Sequence, residues 1–186
     1  MTEELLRSVL AGYSLPCDGA HGLTHWGRVM ENGRRLAEIT GADVRVVELF
    51  ALFHDCRRVN EGTDPGHGRR GAALARTLYE AGDLELSGVQ IVQLLWACEH
   101  HTDGLLAADA TAETCWDADR LDLGRVRIRP DPRYLCTAAA KESAMIEWAE
   151  KRSRSDHRPP EVDRWLEWAG DSFARARPIR SAKWGR

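Results

Sequence analysis

The stretch Val44-Arg45-Val46-Val47-Glu48-Leu49-Phe50-Ala51-Leu52-Phe53-His54-Asp55 is apolar almost all round at helical spacing, then ends in two groups able to ligate a metal or titrate. A helix without a polar face cannot lie on a surface, so it belongs at the centre of a bundle. Asp43 has the side chain of its N-cap. Outward from that centre, glycine and proline divide the chain into segments of 3.6-residue periodicity, and alternating strand patterns are absent. Upstream, Trp26, Val29, Met30, Gly33 and Ala37 stripe a helix from about 22 to 40, which Gly41 is suited to stop. Past the loop Asn60 to Gly66, Gly71, Leu74, Ala75 and Leu78 share one face. Ser87 and Gln90 fit a capping box that opens a helix striped by Ile91, Val92, Leu95 and Cys98. Thr111 suits the cap of a fifth helix, with Trp116, Asp119 and Leu123 on one side. Thr2 to Ala11, Arg133 to Lys151 and Val162 to Trp168 complete an all-α, single-domain helical bundle.

A chain of 186 residues, 43% hydrophobic and 30% charged, buries a proper core and is neither disordered nor collagen-like. The expected division is a bundle over 1–170, its motifs within about 15–125, and a basic C-terminal tail over 171–186. Ten basic and five acidic side chains follow residue 150, against sixteen and twenty-four before it. Such a tail can draw nucleic acid or merely be a solvated terminus; the second reading is preferred, and nucleic acid is not expected as a partner. No apolar run approaches the ~18 residues of a membrane span, and the N-terminus lacks a cationic start before an apolar block, so a cytoplasmic protein is expected. The five cysteines, an odd number without Cys-x-x-Cys spacing, read as reduced, buried thiols. Seven tryptophans, several in the last third, leave a homo-oligomer open.

The chemistry lies in the histidines and aspartates. With 7 His and 14 Asp, about 0.5 His-Asp pairs arise by chance, so His54-Asp55 draws its weight from context. Six of the seven histidines fall between 21 and 101, each near an expected helix end: His25 one turn before Val29, His67 opening the third helix, His101 following Leu94 and Cys98 at helical spacing. Asp119, inward between Trp116 and Leu123, needs a cation or several donors to offset its desolvation. Imidazoles with carboxylates suit one or two first-row divalent ions such as Fe, Mn, Co or Zn, and do not suit calcium.

These residues carry a resemblance. The order His25, His54-Asp55 and Asp117-Ala118-Asp119-Arg120-Leu121 resembles the HD-domain metal-dependent phosphohydrolase superfamily, an all-helical fold. His21-Gly22-Leu23-Thr24-His25-Trp26-Gly27-Arg28-Val29 is similar to the opening motif of small bacterial members, Leu52-Phe53-His54-Asp55 to the core motif, and Ala118-Asp119-Arg120-Leu121 to the closing one, which selects Asp119 over Asp117. His67-Gly68-Arg69-Arg70-Gly71-Ala72 and His100-His101 resemble the added histidines of two-metal members; helix phase favours His101 over His100. His100-His101-Thr102-Asp103-Gly104 continues as Leu105-Leu106 without Tyr-Pro, which argues against the cyclic-dinucleotide phosphodiesterases.

The resemblance implies that His25, His54, Asp55 and Asp119 hold one ion, and that Asp55 bridges to a second held by His67 and His101. It implies hydrolysis of a small phosphate ester, a nucleotide among the candidates, by a metal-activated hydroxide with no side-chain nucleophile. Two dications outweigh two aspartates, so the loaded site attracts phosphate although the chain is acidic overall. Arg28, one turn from His25, and Arg120, beside Asp119, are candidates to bind phosphate, and His21 to donate a proton to the leaving group. Arg57 and Arg58, which follow the His-Asp pair, are placed at the mouth of the pocket and given no catalytic role. An alternative is the family's mixed-valent di-iron oxygenase chemistry, which uses a similar ligand set; a third is a non-catalytic binding module on the same scaffold.

Overall fold

The computed structural model of the protein describes residues 1–104 and 109–173. The tail beyond 173 and most of the loop Gly104 to Ala110 lie outside them. Among the described residues nine α-helices follow in order: α1 Glu3–Leu10, α2 Leu23–Thr40, α3 Val44–Phe53, α4 His67–Ala81, α5 Gly88–His100, α6 Ala110–Arg120, α7 Ala138–Lys141, α8 Ser143–Arg154 and α9 Pro160–Phe173. Two 3-10 turns, Leu123–Val126 and Pro132–Tyr134, join α6 to α7. No strand occurs among the described residues, so the all-α expectation holds.

The centre is α3. Asp43 Oδ1 accepts from Arg45 N and Val46 N, at 2.9 and 3.2 Å, and starts the helix. Seven of its residues, Val46, Val47, Leu49, Phe50, Ala51, Leu52 and Phe53, are then buried beneath α1, α2, α4, α5 and α6. Each large one adds about 1.5–3 kcal/mol of apolar burial. Thr40 ends α2, and Gly41 turns the chain away at φ +72°, where a Cβ would be strained. The Ser87–Gln90 capping box is present in full.

Several expectations need correction. Asp109, not Thr111, caps α6, accepting from Thr111 N and Ala112 N; the Thr111 hydroxyl instead accepts from Asp43 N. On α5 the inward residues are Ile91, Leu94, Leu95, Ala97 and Cys98, while Val92 is exposed. The segment Arg133 to Lys151 is not one helix. Asp117 takes the amides of Cys136 and Thr137, so the chain turns there, and Glu142 at ψ 130° separates α7 from α8. That break serves packing, because it lays Met145, Ile146 and Ala149 against Leu36, Leu121 and Leu135 in a second apolar cluster. The last helix is longer than Val162 to Trp168, running from Pro160 to Phe173.

Two glycines let α4 come close enough to matter. A Cβ on Gly68 would stand 2.1 Å from the Cys98 carbonyl oxygen, and one on Gly71 2.0 Å from that of Phe53. The first turn of α4 therefore lies directly on the C-terminal ends of α5 and α3. Five chain segments thus deliver His25, His54-Asp55, His67, His101 and Asp119 to one place.

Candidate metal centre

Two groups of ligand atoms meet at Asp55. His25, His54 and Asp119 form one, and Asp55, His67 and His101 the other, each with its atoms within 4.8 Å of one another. Asp55 Oδ2 lies 3.6 Å from His25 Nε2 and 3.5 Å from His54 Nε2, and Oδ1 lies 3.1 Å from His67 Nε2 and 3.8 Å from His101 Nε2. One carboxylate therefore faces both groups, an oxygen to each. Asp119 Oδ1 completes the first, 3.5 Å from His25 Nε2.

The donor set asks for a cation. Every one of the four rings spends Nδ1 on an acceptor: His25 on Asp122 Oδ2 at 2.8 Å, His54 on the Phe50 and Ala51 carbonyls, His67 on the Asp64 carbonyl at 2.6 Å, His101 on the Cys98 carbonyl at 2.8 Å. An oxygen acceptor needs the proton on Nδ1, which leaves Nε2 of the neutral ring as a lone pair. Those lone pairs face each other, 3.1 Å apart for His25 and His54 and 2.8 Å for His67 and His101. Asp119 Oδ1 is buried and accepts no hydrogen bond among the described residues. This is the arrangement by which outer partners orient metal-binding imidazoles, and the residues fit one or two divalent transition ions.

Electrostatics agree. Burial pushes His54 down to about 3, against the pull of Asp55 and Asp119, so the ring is neutral at neutral pH. Burial also resists ionisation of Asp55, but the imidazoles of His54, His25, His67 and His101 outweigh it and hold the carboxyl well below its ordinary range. Asp119 is brought to about 2 against the same burial by His54, Arg125, His25 and His101. His67 is the exception: burial lowers it, yet its bonds to Asp55 and the Asp64 carbonyl prevail and raise it.

A cleft of about 560 Å³ opens beside these groups, walled by His21, Asp55, His67, His101 and Asp119 with Arg58, Arg120, Arg125 and Arg129. Leu123, Ile128, Tyr134 and Leu135 make its apolar side.

A family model for the HD domain matches residues 22–153. The chain belongs to the HD-domain family. The crystal structure of a predicted HD superfamily hydrolase from an uncultured Thermotogales bacterium is similar to this HD domain, with TM-score 0.61 and 26% sequence identity over 89% of this chain and 91% of that one. No curated protein matches the chain.

The structure gathers His25, His54, Asp55, His67, His101 and Asp119, and sets two neighbours apart from them. Asp117 is turned to Cys136 and Thr137, and His100 lies against Trp96, ring centroids 3.9 Å apart. His21 lines the cleft with Nδ1 bonded to Glu61. Arg28 is placed otherwise than expected. Its Nε and Nη2 bind Asp122 at 2.6 and 3.2 Å, its Nη1 binds the His157 carbonyl, and it does not line the cleft. Arg120 lines it, but bonds the carbonyls of Tyr134, His101 and Gly104. Three residues of this HD domain escaped sequence reasoning: Asp122, Glu61 and Arg125. Only Asp122 had a signal, standing directly after the closing motif, three residues beyond Asp119. Arg58 Nη1 reaches Asp55 Oδ1 at 3.3 Å and His67 Nε2 at 3.2 Å, placing a cation beside the second group.

Proposed function

We propose that this HD domain is a metal-dependent phosphohydrolase acting on a small phosphate ester, a nucleotide being the size that fits. The supporting observation is the convergence of four imidazole lone pairs and two carboxylates beside a cleft walled by arginines, onto which Asp55, His67, His101 and Asp119 open. A volume of about 560 Å³ suits a small ligand. The hydrolase named for the Thermotogales neighbour supports the same reading.

His25, His54, Asp55 and Asp119 would hold one ion, and Asp55, His67 and His101 a second. Ions so held supply Lewis acidity, making water a stronger acid and offsetting charge on phosphoryl oxygens. The chain's own groups do the rest. Asp122 and the backbone carbonyls fix the four imidazoles in one tautomer, so no reorganisation is needed to bind. Glu61 takes Nδ1 of His21, leaving Nε2 as the ring atom that can pass a proton to or from substrate. Leu123 and Leu135 line the apolar side of the cleft.

Protein loaded in turn with Mn, Co, Fe and Mg should turn over some member of a panel of phosphomonoesters and phosphodiesters, and Asp55→Ala should abolish turnover. Inert metal forms throughout would overturn the reading. The pairing of His67 with His101 in the second group favours a second possibility, di-iron oxygen chemistry. Anaerobic iron loading decides it: a mixed-valent iron signal with oxygen uptake would replace hydrolysis.

A further inference from the structure

Of the arginines on the cleft, three are engaged. Arg58 binds Asp55, His67 and the Gly62 carbonyl, Arg120 binds three carbonyls, and Arg129 pairs with Glu150 at 3.1 Å. Arg125 differs. It stands on the turn Leu123–Val126, its side chain is 9% exposed, and its Nε is tethered to the Ala20 carbonyl at 2.9 Å. That tether leaves Nη2 toward Asp119 of the first ligand group and Nη1 toward Asp122. Nη1 is buried and donates no hydrogen bond among the described residues. Its nearest acids are beyond hydrogen-bond reach, Asp122 Oδ2 at 3.8 Å from Nη1 and Asp119 Oδ1 at 3.9 Å from Nη2. A buried guanidinium nitrogen that makes no hydrogen bond, with carboxylates only at 3.8 and 3.9 Å from the fork, is costly unless something arrives to take it.

We infer that Arg125 is the residue that binds the phosphoryl group, its fork taking non-bridging oxygens of a phosphate seated against Asp119. This rests on the reading of the cleft as a phosphate-ester site and assigns the role that sequence had offered to Arg28 and Arg120. Proximity to Asp119 sets the geometry: an anion at that corner touches the first ligand group and Nη2 together. A phosphate has enough terminal oxygens to face both at once, and the planar fork matches two of them.

Inorganic phosphate titrated calorimetrically into zinc-loaded protein tests this without reference to turnover. Wild type binds, Arg125→Gln binds about 10- to 100-fold more weakly with unchanged zinc content, and Arg125→Lys, which keeps charge but loses the fork, falls between. Arg69→Gln, on an exposed arginine outside the cleft, behaves as wild type. If Arg125→Gln does not fold, Arg125→Lys decides together with the Arg125 Nε–H resonance of wild type, which shifts on adding phosphate. Unchanged affinity in the variants, loss only in step with lost zinc, or a wild type that ignores phosphate would each overturn the inference. Phosphate binding that depends on Arg125 in a protein that hydrolyses no ester would uphold this residue's role while the hydrolase reading fell.

Discussion

Asp122 carries two tasks at one side chain that is 1% exposed. It holds Nδ1 of His25 and is the counter-charge of buried Arg28. Removing the carboxylate frees the His25 ring to turn and leaves a guanidinium unpaired in the interior. Asp122→Asn should therefore weaken metal binding about 10- to 100-fold, and destabilise the fold by about 3–5 kcal/mol as the price of the unpaired charge. Chelator competition and denaturant melting measure the two effects; metal affinity within twofold of wild type would refute the role of Asp122. Arg58 makes the opposite case. Its Nη1 stands against the second group, so Arg58→Met should raise affinity for a second manganese by about tenfold or more, through removal of a like charge at short range. Calorimetric stoichiometry would show it, and weaker or equal second-ion binding would count against it. Arginine side chains are where sequence reading is weakest. Arg28 lies one turn from His25 and is drawn to the same region, but nothing local says that Asp122, far along the chain, will claim it.

Among the elements, α4 shows how helix packing sets a ligand. Gly68 has the Cys98 carbonyl 2.1 Å and His101 Nδ1 2.9 Å from where a Cβ would be, so Gly68→Ala must push α4 off α5. His67 moves with it. We expect a cost of about 1–3 kcal/mol, loss of one equivalent of bound metal, and retention of the ion at His25 and His54, read by melting and elemental analysis. Gly88→Ala, with open space about its position, should be neutral or slightly stabilising on the same measurements. The helices with strong local signals, Asp43 before α3, Gly41 after α2 and the capping box of α5, are legible because their cause lies within a few residues. The break at Glu142 is not, since Ala138 to Lys141 favour helix and the turn is made by Asp117 reaching across from α6.

Over the whole molecule, the candidate ligands come from α2, the end of α3, α4, the end of α5 and α6, so an ion at either group would tie three segments together, with the end of α3 common to both. Metal at about 100 times its dissociation constant should stabilise the fold by ~2.7 kcal/mol, raising Tm by about 5–10 °C. Excess chelator should return Tm to the metal-free value, and Asp55→Ala should show no metal-dependent shift; equal Tm with and without chelator would contradict the clasp. No described helix is long and apolar enough to cross a membrane. What the sequence determined by itself was the bundle, its central helix, and six residues able to ligate a metal, because apolar periodicity, caps and ligand chemistry are properties of neighbouring residues. Only the tertiary structure decided which ring nitrogens are bare, which side chain orients His25 and which arginine keeps a buried nitrogen without a hydrogen bond. Those depend on partners tens of residues away, and a side chain's direction is set by whatever folding brings against it.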